Sequence, residues 1–296
     1  MPAVEMAGGP VANAVYDEVA RRVKALEAVG TTVGLGTILV GDDAASAGYI
    51  AKKHEMCQRY GLVSLHQQIA ADAAPADLLE AVARFNADPA VDAFLIQYPV
   101  PPGFDFNAAV RAMDPGKDAD GLHPLNLGLL ALGGHGPRPC TPAGIQAMLA
   151  YYEVPVAGRN VVIVGRGPTL GRPLSLLLAL KEPGANAAVT VVHTGVADWA
   201  EYTRRADIVV GAAGVPRMIT PGVIKPGAAV VSGGITWEGR RLIPDVDEAC
   251  AEVAGWITPR LGGVGVITVA MLLRNAVTCA EAHAAQRAVT SSPSPG

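Results

Sequence analysis

Three side chains with exchangeable protons recur at helical spacing between Ala45 and Tyr60. Ser46, Tyr49 and Lys53 occupy positions i, i+3 and i+7, and at about 100° per residue Lys53 returns to within about 20° of Ser46. A hydroxyl, a phenol and an amine would then share one stripe of a helix and could exchange protons with a ligand. Lys52 would lie about 120° from Ser46, as expected of a solvated surface lysine. An amphipathic helix with a snorkelling lysine is the more frequent origin of such a stripe.

Polar side chains also follow an apolar strand and occupy a later loop. Gln97 is the amide near the end of the apolar run 93–98, and open α/β sheets place their sites beyond the carboxyl ends of strands. Asp118 and Asp120 lie in a segment rich in glycine and proline. Their carboxylates could bind hydrogen-bond donors on a ligand, and a solvated acidic turn is the alternative.

The most specific local motif is NVVIVGRGPTLGRP, residues 160–173. A buried strand leads into Gly165, Gly167 and Gly171 and then into a helix, an order that lets backbone N–H groups and a helix N-terminus approach a pyrophosphate. The spacing is GxGxxxG instead of the commoner GxGxxG, so a tight turn without a ligand stays an open alternative. The motif favours dinucleotide binding.

The end of the next strand bears on the choice of dinucleotide. NAD-binding versions carry an acidic residue there for the ribose 2′-hydroxyl, whereas this strand ends in His193 and Thr194. No carboxylate would repel a 2′-phosphate, and Arg166 in the glycine loop could pair with one, which favours NADP over NAD. The alternative is that Arg166 pairs with a neighbouring acid at the surface.

The elements that must position these residues alternate in type. Apolar spacing predicts helices over 11–29, 45–60, 76–86, 173–180 and 268–286, and strands over 33–40, 62–68, 93–98, 160–165, 188–193, 208–211 and 228–232. This alternation predicts an α/β fold with parallel sheets. Residues 114–142 show little periodicity and predict a domain connection or a long functional loop. Thr141 is predicted as the N-cap of a helix to about Tyr151, with Pro142 at its first position.

Composition excludes several functional classes. Half of the 296 residues are hydrophobic, 17% are charged and the net charge is −4, which argues against disorder and against nucleic-acid binding. No signal peptide is expected, because the start MPAVEMAGGP has neither a basic nor an apolar region. No membrane association is expected, because no run approaches the roughly 18 apolar residues of a spanning helix. Cysteine and histidine spacing predicts neither disulfides nor a catalytic metal, and GxSxG is absent. The chain is therefore expected to be a soluble cytoplasmic protein.

Taken together, these segments resemble the bifunctional methylenetetrahydrofolate dehydrogenase/methenyltetrahydrofolate cyclohydrolase family. The resemblance covers almost the whole chain in the family's order: VGDDAASAGYIAKK, IQYPVPP, PGKDADGLHPLNLG, PCTPAGIQAML, VVIVGRGPTLGRP, ADIVVGAAG, and GGVG followed by ITVAMLL. It implies a two-domain α/β fold with a catalytic, folate-binding domain (1–138) and a Rossmann-type NADP domain (139–267), with an active-site cleft between them. It also implies a C-terminal helix (268–288) that returns to the first domain, and a homodimer. The composition of the last segment, SSPSPG, separately predicts a disordered tail (289–296).

The resemblance implies a role for each matching residue. Lys53 would be the catalytic lysine, and Gln97 the glutamine that hydrogen-bonds it. Tyr49 would pack on the folate, and Asp120 would grip the pterin ring. The folate would also contact a second group of residues: Ser46, Ile96, Tyr98, Cys140, Gly262, Gly263, Val264 and Gly265. NADP would contact another: Gly165, Arg166, Gly167, Gly171, Arg172, His193, Thr194 and Ile235.

The implied activity is NADP-dependent oxidation of 5,10-methylenetetrahydrofolate to 5,10-methenyltetrahydrofolate, followed by hydrolysis to 10-formyltetrahydrofolate. A lysine in a partly dry cleft has its ammonium form disfavoured and can accept a proton near neutral pH, so Lys53 would handle protons in the hydrolysis. The protein's part in hydride transfer would be mainly the alignment of two ligands.

Segments late in the chain depart from the family pattern. TPRLGGVGVIT stands where the family reads TPVPGGVGPMT, so prolines are missing at Leu261 and Val266, and Arg260 and Ile267 are unusual. Three further departures are SGGIT in place of DVGIN, Pro244 in place of glycine, and Gly167 in place of a frequent serine. These departures motivate two alternatives: a paralogue that performs NADP-linked redox or imine chemistry on another ligand, or a cyclohydrolase with weak dehydrogenase activity. A non-catalytic nucleotide-binding subunit is disfavoured because Lys53 is present.

Overall fold

The structure is a computed structural model that describes residues 2–239 and 241–291, with the backbone alone at 44–47, 237 and 289–291. The chain forms two compact units. The three-stranded unit comprises Ala14–Leu129, His135–Arg138 and the chain from Leu272. The six-stranded unit comprises the chain up to Asn13, Leu130–Gly134 and Pro139–Met271.

In chain order the strands are β1 Val4–Glu5, β2 Gly34–Val40, β3 Val63–Ile69, β4 Ala93–Ile96, β5 Asn160–Val164, β6 Ala188–Val192, β7 Ile208–Gly211, β8 Ala229–Ser232, β9 Ile235–Glu238, β10 Arg241–Pro244 and β11 Trp256–Ile257. The helices are α1 Gly8–Glu27, α2 Ala44–Arg59, α3 Pro75–Ala87, α4 Phe106–Ala112, α5 Pro124–Ala131, α6 Cys140–Tyr151, α7 Gly171–Ala179, α8 Trp199–Thr203 and α9 Val264–Ser291.

The three-stranded unit is built on a parallel sheet in the order β3-β2-β4. The central strand β2 is buried throughout, as expected of a parallel strand that is covered on both faces. Gly36 in β2 is required by packing, because an added Cβ would lie 2.7 Å from the ring of Phe85. The carboxyl ends of β2 and β4 therefore stand at one edge of a well-packed sheet, directly before Gln97.

The six-stranded unit holds a parallel sheet in the order β1-β11-β8-β7-β5-β6, and the antiparallel hairpin β9–β10. Strand β5 pairs with the edge strand β6 on one side and with β7 on the other. The chain order reverses at β5, and open α/β sheets bind ligands beyond the carboxyl ends of their strands at such a position. The glycine loop begins at this point.

The predicted α/β fold with parallel sheets is confirmed, and three local predictions are wrong. The segment 114–142 is not a continuous loop, because it contains α5; closely spaced leucines there leave no polar face, so the helical period is hidden. Helix α6 begins at Cys140, and its N-cap is Pro139 instead of Thr141. The fixed φ of proline starts this helix, and Pro142 is accommodated in its first turn. Helix α9 begins at Val264, four residues before the predicted start.

The compact units divide the chain differently from the expected domain boundaries. The first 13 residues belong to the six-stranded unit, because β1 pairs in parallel with β11. The backbone of α9 contributes to both units. The predicted tail lies outside the residues whose side chains are described.

By length and composition alone, one helix in the described part of the chain could cross a membrane, namely Val264–Ala288. Its most apolar window is 61% buried inside the protein. Asn275 in this helix donates from Nδ2 to the carbonyl oxygens of Ala119 at 2.9 Å and Arg138 at 2.8 Å. Such burial is typical of the core helix of a globular domain.

Candidate active site

Lys53 and Gln97 meet in the three-stranded unit, at the carboxyl edge of its sheet. Lys53 on α2 donates from Nζ to Oε1 of Gln97 at 2.9 Å. Gln97 directly follows β4, and its own Nε2 donates to the carbonyl oxygen of Tyr98 at 2.8 Å. Because that second bond takes up the amide nitrogen, the amide oxygen is left facing the lysine. The contact that the family resemblance implies is thus present.

The neighbouring Lys52 has a different environment. Its side chain is 55% exposed, and Nζ forms an ion pair with Glu55 at 2.9 Å. Such an exposed pair contributes little to stability, about 0–1 kcal/mol. Helix geometry therefore separates a surface lysine from Lys53, which is half-buried.

Asp120 is a titratable group whose charge interacts with that of Lys53. Burial raises the pKa of Asp120 to about 6, the nearby Lys53 ammonium opposes this rise, and the charge of Asp118 adds to it. The carboxyl group therefore changes its ionisation close to physiological pH. A partly buried acid with a raised pKa beside a lysine is a frequent feature of active sites.

Asp118 is not available to a ligand, and the prediction that both carboxylates bind donors is wrong for it. The side chain is buried. Its carboxylate accepts from the backbone N–H of Gly121 at 2.9 Å and of His123 at 2.7 Å, and from Nδ2 of Asn126 at 2.9 Å. Asp118 thus fixes the loop that presents Asp120.

Two aromatic side chains of the expected site are exposed on the three-stranded unit. Tyr49 on α2 is 49% exposed and Tyr98 is 66% exposed, as suits side chains that cover a flat ligand. Tyr98 packs edge-on against Phe106, with ring centroids 5.2 Å apart, and the Tyr98–Pro99 peptide bond is cis. Ile96 differs from the expectation, because its side chain is buried in the core of the sheet. The side chain of Ser46 lies outside the described residues.

The glycine loop of the six-stranded unit has the backbone geometry of a phosphate cradle. Gly165 has φ +129, and a Cβ there would lie 2.2 Å from the carbonyl oxygen of Ala212. A Cβ on Gly171 would lie 2.3 Å from the carbonyl oxygen of Gly165, whereas one on Gly167 would meet nothing within 4 Å. The outer glycines are thus needed for close packing, whereas the middle one borders open space. Helix α7 begins at Gly171. This arrangement fits the pyrophosphate of a dinucleotide.

Arg166 and His193 place two hydrogen-bond donors beside this loop, at the position expected for a 2′-phosphate. The backbone N–H of Gly195 donates to Nδ1 of His193 at 3.0 Å, which assigns the proton of a neutral ring to Nε2. That Nε2 lies 3.4 Å from Nη1 of the exposed Arg166. Two neighbouring donors of this kind suit an anion placed between them. Among the described residues, no carboxylate forms an ion pair with Arg166, and its guanidinium stands beside this imidazole. Thr194 and Arg172 are exposed nearby.

The segment 260–267 is only partly a loop, in contrast to the expectation. Val266 lies in the first turn of α9, and Ile267 is buried against Gly144. Leu261 is 60% exposed. The turn is fixed to the start of α1, because the N–H of Gly8 donates to the carbonyl oxygen of Gly262 at 2.7 Å.

The remaining expected site residues of the six-stranded unit fall into two groups. Cys140 and Val264 are buried, while Gly263, Gly265 and the side chain of Ile235 are at least partly exposed. Sequence reasoning did not single out Asp245, which is fully buried between two turns at the carboxyl edge of this sheet. No motif marks it, since a single aspartate after a short strand resembles a surface turn.

Two family models match the chain. Residues 6–120 match the catalytic domain of tetrahydrofolate dehydrogenase/cyclohydrolase, and residues 139–284 match the NAD(P)-binding domain of the same family. The chain is 62% identical over 284 residues to the bifunctional protein FolD of Syntrophotalea carbinolica, covering 96% of this chain and 98% of that protein. It is 58% identical over 289 residues to the bifunctional protein FolD 1 of Salinispora tropica, covering 98% of this chain and 94% of that protein.

Solved structures give the same match. The bifunctional FolD methylenetetrahydrofolate dehydrogenase/cyclohydrolase of Campylobacter jejuni superposes with a TM-score of 0.90 at 33% identity, over 95% of this chain and 99% of that one. The FolD enzyme of Trypanosoma brucei, solved with NADP cofactor and an inhibitor, superposes with a TM-score of 0.89 at 34% identity, over 96% of this chain and 99% of that one.

Proposed function

The chain belongs to the tetrahydrofolate dehydrogenase/cyclohydrolase family, and from this premise we propose that it carries out both reactions of one-carbon metabolism that define the family. It oxidises 5,10-methylenetetrahydrofolate to 5,10-methenyltetrahydrofolate with NADP, and it hydrolyses that product to 10-formyltetrahydrofolate. The observation that carries this function is the contact between Lys53 and Gln97, with Asp120 close by. It lies in the segment that matches the catalytic domain.

In the hydrolysis, Lys53 manages the protons. Water attacks the cationic methenyl carbon, and one of its protons must leave as the new C–O bond forms. The Lys53 amine accepts that proton, and a proton is delivered to N5 of the folate as the C–N5 bond breaks. The bond to Gln97 Oε1 holds Nζ in place during these transfers. Overall, one water is consumed and one proton is released.

Asp120 and Tyr49 bind the folate in this scheme. An ionised Asp120 accepts hydrogen bonds from N–H donors of the pterin ring, which fixes the ring's orientation relative to Lys53. The exposed ring of Tyr49 covers the flat face of the pterin, an arrangement favoured by offset stacking.

The six-stranded unit provides the residues that would hold NADP. The pyrophosphate would bind to backbone N–H groups of the loop 165–171, and Arg166 with His193 would bind the 2′-phosphate. Bound NADP supplies a nicotinamide that accepts a hydride. The protein's contribution to that step is alignment of the two ligands and exclusion of water.

The domain roles follow the same division. Residues 1–138 form the folate-binding catalytic domain, 139–267 the NADP-binding domain, and 268–288 a C-terminal helix that completes the first domain. The family matches to 6–120 and 139–284 support the two main assignments. The grouping of the first 13 residues with the six-stranded unit indicates that they serve the NADP-binding domain structurally.

The two alternatives gain no support from the comparisons. Both a paralogue with another ligand and a cyclohydrolase with weak dehydrogenase activity were motivated by the unusual segment around Leu261. Relatives that are 62% and 58% identical over nearly the whole chain are named bifunctional proteins. The bifunctional folate enzyme is therefore the single function proposed.

The enzyme is further proposed to be cytoplasmic and to form a homodimer. All four cysteines are free and buried, which suits a reducing compartment. The dimer is supported by the family resemblance alone. Light scattering coupled to gel filtration would test it, and a monomeric mass at micromolar concentration would contradict it.

Asp120 gives the folate affinity a predicted pH dependence. Below its pKa of about 6 the carboxyl group is protonated and loses acceptor capacity. The KM for 5,10-methenyltetrahydrofolate should therefore rise as the pH falls through 6, and Asp120→Asn should flatten this profile. A profile of KM against pH for both proteins measures the effect.

The same group predicts a trend in stability. The pKa of Asp120 is higher in the folded state than its ordinary value of 3.8. Its contribution to the free energy of unfolding is thus fully present below pH 3.8 and is lost as the pH rises through about 6. Asp120→Asn should remove this loss. Parallel pH profiles of the unfolding free energy would contradict the assignment.

The missing prolines predict a gain of function. Leu261→Pro combined with Val266→Pro should raise dehydrogenase turnover. Each proline reduces the freedom of the backbone, which favours the ordered state by about 0.4–1 kcal/mol, and would order the segment at the start of α9. Val266 lies in the first helical turn, where a missing N–H breaks no intrahelical bond. We expect an increase of about two- to fivefold in kcat, measured by reduced-nicotinamide absorbance. Unchanged turnover in a folded variant would show that order in this segment does not limit the reaction.

The proposed function is tested by assaying each half-reaction alone. The wild-type chain should reduce NADP when 5,10-methylenetetrahydrofolate is present, with NAD run side by side. It should also hydrolyse 5,10-methenyltetrahydrofolate when no nucleotide is added. Absence of both activities in a folded protein would overturn the proposal, and absence of one would reduce it to a single-function enzyme.

A further inference from the structure

A buried carboxyl group holds a turn at the carboxyl edge of the six-stranded sheet. Asp245 directly follows β10 and is fully buried. Its Oδ2 accepts from the backbone N–H of Ala213 at 2.8 Å and of Gly214 at 3.0 Å, and the N–H of Val215 also donates to the carboxyl group. Consecutive backbone amides that face one carboxylate in this way form an anion-binding nest.

The same turn is held from its other side by Thr236. The hydroxyl Oγ1 of Thr236 on β9 donates to the carbonyl oxygen of Gly214 at 2.7 Å. The N–H of Gly214 thus donates to Asp245, while its C=O accepts from Thr236. Gly214 has φ +65, a conformation that glycine adopts without strain. Residues 212–215 are called the clamped turn below.

The clamped turn lies directly against the glycine loop. It follows β7, which pairs with β5, and a Cβ on Gly165 would lie 2.2 Å from the carbonyl oxygen of Ala212 and 3.0 Å from the nitrogen of Ala213. The turn therefore forms a wall of the crevice that the proposed cofactor occupies. A shift of the turn would change the space available at Gly165.

Stability alone does not account for the carboxyl group at this position. Asp245 Oδ1 is buried and has no hydrogen-bond partner among the described residues, which disfavours folding. Burial raises the pKa of Asp245 despite the three amide donors. Packing is also tight, because a Cβ on Gly234 would lie 2.1 Å from Oδ2. An acid retained under these conditions points to a requirement for the position of the turn.

We propose that Asp245 and Thr236 are positioning residues for NADP, because together they fix the clamped turn beside the glycine loop. Neither residue needs to touch the nucleotide. They act through the turn, which keeps the wall of the crevice in the shape that the nucleotide binds. This inference rests on the proposed function.

The test compares NADP binding among three variants of the full-length chain. Asp245→Ala removes the acceptor of the turn's amides. It should raise the dissociation constant for NADP, measured by calorimetry without folate, by about tenfold or more. Thr236→Val removes one hydrogen bond at a partly exposed position and should raise the dissociation constant for NADP by about three- to tenfold. Asp245→Asn keeps one acceptor oxygen and should recover most of the affinity. Cyclohydrolase turnover should stay near the wild-type value in all three.

Asp207→Ala is the matched control. Asp207 also accepts from a backbone N–H, that of Asn160 at 3.0 Å, and pairs with Lys225 at 2.6 Å, but it stands at the amino edge of the same sheet. Its loss should lower the unfolding midpoint while leaving NADP affinity within about twofold.

The outcomes separate the inference from the function on which it rests. If Asp245→Ala binds NADP as tightly as the wild type, or if Asp207→Ala loses as much affinity, the positioning role is wrong. If Asp245→Ala does not fold, Thr236→Val decides, and wild-type affinity in that variant overturns the inference. A wild-type chain that does not bind NADP would instead overturn the proposed function.

Discussion

Lys53→Met should lower cyclohydrolase turnover by about 10²–10⁴-fold, the range that a positioned acid or base contributes. Methionine keeps an unbranched side chain that is one atom shorter, but it has no group that accepts a proton from the attacking water. The variant also leaves Oε1 of Gln97 without its donor. NADP affinity should be nearly unchanged, because the glycine loop belongs to the six-stranded unit.

Lys52→Met is the matched control, because it makes the same chemical change one residue earlier. Lys52 is exposed and pairs with Glu55 on the surface, so its loss should leave both activities close to the wild type. Hydride transfer should suffer less than hydrolysis in the Lys53 variant, since the lysine's main task is proton movement. An inactive Lys52→Met beside an active Lys53→Met would show that the assignment of the catalytic lysine is wrong.

Arg166→Ala should weaken the binding of NADP by about 10- to 100-fold. The affinity for NAD should change little. A hydrogen bond to a charged group contributes about 1.5–3 kcal/mol, and Arg166 with His193 presents two donors where a 2′-phosphate would bind. NAD lacks that phosphate. Dissociation constants for the two nucleotides, measured by calorimetry on the same variant, give the selectivity directly.

Arg159→Ala provides the comparison for that experiment, since Arg159 is an exposed arginine immediately before the other end of β5. It should bind both nucleotides like the wild type. Equal losses for NADP and NAD in Arg166→Ala would show that Arg166 does not read the 2′-phosphate. The preference for NADP would then need another origin.

The fold class and the placement of Lys53 and Gln97 were accessible from sequence for physical reasons, whereas the contact between the two was implied by the family resemblance. Alternating apolar periods specify parallel strands with helical crossovers. Helix geometry separates Lys53 from Lys52 by about 100°, and a strand end specifies where Gln97 must emerge. These are local rules, so they need no knowledge of distant contacts.

Features set by distant contacts escaped sequence reasoning. Asp118 looked as available as Asp120, but its carboxylate is taken up by two backbone amides and Asn126. Helix α9 extends to Val264 because its first turn packs in the six-stranded unit, with Ile267 against Gly144. A local reading placed the boundary after the glycines. Tertiary packing decided it instead.

Asp245 shows the same limit for the candidate site. Its partners Ala213 and Gly214 are more than 30 residues away in sequence, and nothing in its neighbours distinguishes it from a surface turn. The role of Gly214, which donates to Asp245, becomes apparent only once the strand order places β7 beside β5.

The central claim, that one chain performs both reactions in sequence, is tested most directly with methylene-labelled substrate. The wild-type enzyme should be supplied with NADP and 5,10-methylenetetrahydrofolate that carries deuterium at both methylene positions, and the products analysed by mass spectrometry. We expect one deuterium in the reduced nucleotide and one in the formyl group of 10-formyltetrahydrofolate, in equal amounts. Unlabelled reduced nucleotide, or labelled nucleotide without labelled formyl product, would contradict the account.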